Sequence, residues 1–150
     1  MDRREFATSV PALLALTALF QAESQEQSPA APKELKQLSS GIFKPGPPKA
    51  GQEGHSSQSF LTGMLAAGNI RLEMHESVQQ PGAPHEAVGV HKHSEIWYVK
   101  TGVATLFING TEHKMEAGDV GIVCAGDQHW IANAGTTELS YFVMTVGPPE

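Results

Sequence analysis

The sequence predicts an all-β barrel or sandwich, and three observations carry that prediction. From residue 56 onward the chain breaks into short runs separated by Gly, Asn and Pro, a spacing typical of many short strands. Asn109-Gly110 stands between the runs TLFI and TEHKM, and this pair suits a two-residue hairpin in which both central residues take positive φ. No helix-period segment of useful length follows the N-terminal apolar stretch.

The elements are read in order as eight strands, over 56–63, 69–78, 94–100, 103–109, 111–115, 120–124, 128–133 and 138–146. Lys100-Thr101-Gly102 and Ala117-Gly118-Asp119 mark two further turns. No internal repeat is visible.

Ahead of the barrel, residues 1–24 read as a signal peptide. Arg3 and Arg4 precede an apolar stretch from Phe6 to Phe20, which is too short for a stable membrane anchor, and Ala22 and Ser24 supply small residues near a cut site. The run Arg3-Arg4-Glu5-Phe6 resembles the twin-arginine signal. That resemblance implies export of a folded protein across the bacterial inner membrane, hence a periplasmic or otherwise exported location. Residues 25–54 read as a flexible Pro-rich linker, with Pro29, Pro32, Pro45, Pro47 and Pro48 among small polar residues that bury too little surface to offset ordering entropy. Leu35, Leu38, Ile42 and Phe43 are its candidates for docking on the barrel, which is expected over 55–147. About 95 residues is near the lower end for a self-sufficient core, so a homodimer is expected.

The formal net charge of −6, without a cluster of Lys and Arg, excludes nucleic acid as an expected partner. The single cysteine, Cys124, can form no disulfide within the chain and is read as a small buried apolar residue.

The chemistry concentrates in His91-Lys92-His93-Ser94-Glu95-Ile96-Trp97. Strand side chains alternate between faces, so His91, His93 and Glu95 share one face if the segment is extended. Two imidazoles and a carboxylate are costly in a dry core unless something satisfies them. A divalent transition metal does so, and this donor set suits Fe, Mn, Ni, Co or Zn. A further imidazole, His129, opens a later strand that a barrel can bring alongside. By parity or position, Trp97, Val99, Phe107, Trp130 and Phe142 are expected to line an apolar pocket, which favours a small neutral or aromatic ligand.

The stretch Gly118-x5-Cys124-x-Gly126-x2-His129-x3-Asn133 resembles the second cupin motif at every spacing, with Cys124 in place of Pro. Glu95-x6-Gly102 is similar to the end of the first cupin motif. The resemblance implies a single-domain cupin jelly-roll β-barrel with a metal held by His91, Glu95 and His129. The family's remaining histidine position is occupied here by Gly89. His93, His85 from the preceding loop, or a water are the candidates for the vacated place. His75 is a candidate neighbour of the pocket, His113 is expected at the surface, and no role attaches to His55. No catalytic residue is assigned. The expected function is that of a metal-binding cupin, as an oxygenase or other small-molecule enzyme. The alternatives are a non-catalytic binding module or a structural partner presented by the linker.

Overall fold

The computed structural model describes residues 34–150. The signal peptide expected over 1–24 and the first part of the linker, 25–33, lie outside the described residues.

Among the described residues nine strands follow one another: β1 (Lys49–Ala50), β2 (His55–Met64), β3 (Arg71–Gln79), β4 (Ser94–Thr101), β5 (Val103–Ile108), β6 (Thr111–Glu116), β7 (Val120–Val123), β8 (His129–Asn133) and β9 (Leu139–Gly147). They form a six-stranded sheet, ordered β1-β2-β3-β9-β4-β7, and a three-stranded sheet, ordered β6-β5-β8, with every pairing antiparallel. The eight strands expected from the sequence all form, and β1 is the addition.

Asn109 and Gly110 both take positive φ, at 46° and 91°, and close the β5–β6 hairpin tightly. Gly102, at φ 87°, turns β4 into β5 where a Cβ would stand 2.7 Å from the Glu138 carbonyl oxygen. Both the conformation and the lack of space require glycine there.

The core lies between the inner faces of the two sheets. It is built from Trp97 and Val99 of β4, Ala104 and Leu106 of β5, Met115, Val123 and Ile131, and Leu139, Tyr141 and Val143 of β9. Alternation along β4 is clear: Trp97 and Val99 are buried while Tyr98 between them is exposed. Full burial of each large apolar side chain contributes about 1.5–3 kcal/mol.

Residues 36–50, within the segment expected to be linker, run beside β2. The Leu38 amide donates to the Met64 carbonyl at 2.8 Å, the Met64 amide to Lys36 at 2.9 Å, and the Gly46 amide to Ser59 at 2.8 Å. These are main-chain bonds that cover an otherwise open sheet edge. Of the expected docking residues, Leu38 lies against Gly63 of β2, where a Cβ would stand 2.8 Å from its Cγ, whereas Ile42 is 89% exposed.

Candidate metal centre

Three main-chain bonds gather the site. Gly89 and His129 exchange amide-to-carbonyl bonds at 2.8 and 3.0 Å, and the Gly126 amide donates to the His91 carbonyl at 2.8 Å. The segment leading into β4 is thereby laid along the start of β8. Glu95 is the second residue of β4 and His129 the first of β8, so both project from strand starts.

The structure brings His91, Glu95 and His129 together, with one potential ligand atom from each within 4.8 Å of the others. His129 Nε2 lies 3.3 Å from Glu95 Oε2, and His93 Nε2 lies 3.3 Å from Glu95 Oε1. β4 begins only at Ser94, so His91 and His93 stand in the loop before it rather than in an extended strand. Their rings nevertheless stack, 4.6 Å between centroids and 8° from parallel. Gly147 makes room for His93, because a Cβ there would stand 2.6 Å from the His93 Cα.

Electrostatics tie the pair at the centre. Burial pushes the Glu95 carboxyl up, but the hydrogen bonds and charges of His129, His93 and His91 outweigh it and hold the group below its ordinary value. The Glu95 bond raises His129 against the opposing effect of burial, and the Asp127 carbonyl adds to the rise. With His129 protonated, the two groups form an ion pair; a divalent cation held by His129 and Glu95 would take the place of that proton.

Gly89 borders the same space. A Cβ at residue 89 would stand 2.9 Å from His91 Nε2 and 3.1 Å from His129 Nε2. The cradle between the imidazole tips is therefore left open by the missing side chain. Borderline nitrogen donors with one carboxylate are the set that divalent transition metals take.

Beside Glu95 a cavity of about 100 Å³ is lined by His75, Ser77, Glu86, Trp97, Tyr141 and Val143. Its wall departs from the apolar pocket expected from the sequence. Trp97 and Val99 are interior, but Phe107, Trp130 and Phe142 point outward, because Leu106, His129, Ile131, Tyr141 and Val143 occupy the inward parity of their strands. Phe107 and Trp130 stack at 5.2 Å on the outside, and His85 stacks on Trp130 at 4.5 Å. His85 is thus held away from the centre. The indole Nε1 of Trp97 is buried with no hydrogen-bond partner among the described residues. Tyr141 accepts a bond from Gln79 at 2.8 Å, and burial raises its phenol far above the usual value, so it stays protonated.

His75 lines the cavity, where Glu73 approaches its Nδ1 at 3.6 Å and pairs with Arg71. His113 is exposed on β6. The His55 ring approaches the Pro84 carbonyl at 2.7 Å, away from the centre. Cys124 is exposed rather than buried, because it follows inward-facing Val123. Sequence reading did not find Glu86, Ser77, Tyr141 or Glu150, none of which sits in a motif. The alternation of β3 and β9 was the signal available for Ser77 and Tyr141.

A family model described as a cupin domain matches residues 75–145. The chain is similar to the oxalate-binding protein of Thermotoga maritima, 35% identical over 66 residues that cover 42% of this chain and 54% of that protein. It therefore spans about half the length of this curated relative. Among solved structures it is similar to KdgF from Halomonas sp., with a TM-score of 0.58, 16% identity, and coverage of 75% of this chain and 96% of that one. It is likewise similar to an RmlC-like cupin from Shewanella frigidimarina, with a TM-score of 0.57, 20% identity, and coverage of 69% and 86%. At these identities the structural likeness concerns the fold, which is the cupin jelly roll.

Proposed function

We propose that this cupin-fold barrel holds one divalent transition metal (Fe, Mn, Ni, Co or Zn) and uses it to take a small oxygen-bearing ligand, a short carboxylate such as oxalate first among them. The meeting of His91, Glu95 and His129 around one space carries the proposal. His93, against the second oxygen of Glu95, is the further candidate ligand. Once bound, such an ion supplies Lewis-acid polarisation to an oxygen coordinated in its open position. The chain's own residues do the rest. The cavity beside Glu95, at about 100 Å³, admits only a few heavy atoms. The buried indole N–H of Trp97 and the protonated phenol of Tyr141 suit an acceptor-rich ligand better than an aromatic one. The name of the oxalate-binding relative supports the same ligand class.

Gly89, where the resemblance implies a ligand, favours a second reading in which the barrel captures its ligand without turning it over. The first experiment is elemental analysis of protein purified without chelator. About one equivalent of transition metal is expected, with a sharp loss in His129→Ala. Oxalate should raise the melting temperature only while metal is present. Well-folded protein with far less than one equivalent would remove the metal reading. Turnover of a small carboxylate, lost on chelation and restored by metal, would remove the non-catalytic one.

The leader extends the proposal to export, and the short folded length extends it to a homodimer. Cell fractionation with Arg3 and Arg4 both changed to Lys, and sedimentation of the mature chain, test these two points. Retained export in that variant, or a monomer at micromolar concentration, would count against them.

A further inference from the structure

A carboxylate on the far side of the stacked histidines has a geometry of its own. Glu150 Oε1 lies 3.3 Å from His93 Nδ1, and Glu150 Oε2 lies 3.8 Å from His91 Nδ1. The Lys92 amide, between the two histidines, donates to the same carboxylate and anchors it there. On the opposite edge of the rings, His93 Nε2 faces Glu95 at 3.3 Å. His91 Nε2 is the atom that a side chain at residue 89 would strike. Each imidazole therefore has Glu150 on its Nδ1 edge and the candidate metal centre on its Nε2 edge.

A neutral imidazole carries a single ring proton, and only the bare nitrogen can take a metal. A carboxylate beside Nδ1 keeps the proton on that nitrogen and aims the Nε2 lone pair at the ion. It also resists rotation of the ring. For His93 the need is acute: the ring is buried, and its Nδ1 makes no hydrogen bond within the described residues. Glu150 Oε1, 3.3 Å away, is the carboxylate oxygen that faces this nitrogen.

We propose that Glu150 is a positioning residue for the metal centre, one carboxylate that sets the tautomer and orientation of both His91 and His93. The inference rests on the metal reading above. It also separates this carboxylate from the ligand set: Glu150 acts through the two rings rather than on the ion.

The test uses the full chain, stripped of metal and titrated with Co²⁺ against a competing chelator. The wild type is expected to bind one equivalent. Glu150→Gln should bind Co²⁺ roughly ten- to a hundredfold more weakly, with an altered visible spectrum and an unchanged metal-free melting temperature. Glu150→Asp should recover part of the affinity. Wild-type affinity and spectrum in Glu150→Gln would overturn the proposal. Two equivalents in the wild type, with one lost in Glu150→Gln, would also overturn it, by making Glu150 a ligand of a second ion. A metal-free melting temperature that falls in step with affinity would assign it a structural role instead. No Co²⁺ binding by the wild type would dispose of the metal reading itself, whereas a selective loss of Glu150's effect leaves that reading standing.

Discussion

Gly89 decides how much of the centre the protein itself supplies. Its backbone pairs with His129, and its missing side chain leaves open the space between two imidazole tips. Gly89→Ala puts a methyl group 2.9 Å from His91 Nε2, closer than a non-bonded carbon tolerates, so a ring must give way. The expected outcome is a severalfold weaker metal affinity with a metal-free melting temperature close to wild type, both measurable on one preparation. Unchanged affinity would mean that the ion does not use this space. At this scale the sequence was informative where spacing specifies position: Glu95 and His129 stand at fixed intervals from Gly102 and Gly126, His91 stands four residues before Glu95, and the structure gathers all three. It was silent on Glu150, which lies far along the chain and reaches His91 and His93 only through the fold. Cys124 was misread because its identity was weighed without the parity of its strand.

Among the elements, the end of β8 is tied to β3 by one side chain. Asn133 Nδ2 donates to the Gln79 carbonyl at 2.9 Å and to the Thr137 carbonyl at 2.8 Å, while its Oδ1 accepts the Gly135 amide at 2.8 Å. Its own amide donates to the Gln79 side chain, which is fully buried. Asn133→Ala leaves several of these groups without partners, and a loss of about 2 kcal/mol is expected in urea unfolding. Metal content in the folded fraction should stay at the wild-type level, because Asn133 ties strands rather than ligating. An unfolding midpoint equal to wild type would contradict this account. The strands themselves were legible from turn residues and alternation, since Gly and Asn-Gly mark chain reversals by backbone conformation alone. Which face each strand turns inward was legible only where a polar ligand and a core residue agree. In β4, Glu95, Trp97 and Val99 share a face, and all three turn inward. In β8 and β9 the larger aromatics, Trp130 and Phe142, were taken as interior, but inward His129, Tyr141 and Val143 leave them the outer face.

Across the whole molecule, β9 is the strand that makes one interior of two halves. It pairs with β3 on one side and β4 on the other, placing Glu73, Thr145 and Glu95 opposite one another across the sheet. The inner face of β3 is polar from Arg71 to Gln79, so the cavity by Glu95 has a hydrogen-bonding wall on one side and Trp97 with Tyr141 on the other. The stacking of Trp97 on Tyr141, 5° from parallel, closes the apolar core beneath that cavity. Polar wall, open cradle and mixed nitrogen–oxygen donors are what the proposed cation would require of the interior. Diffraction from crystals grown with Co²⁺, recorded at the cobalt absorption edge, tests this most directly. An anomalous peak is expected at about 2.0–2.2 Å from His129 Nε2 and from a Glu95 carboxylate oxygen. A well-ordered barrel with no such peak within reach of both residues would contradict it.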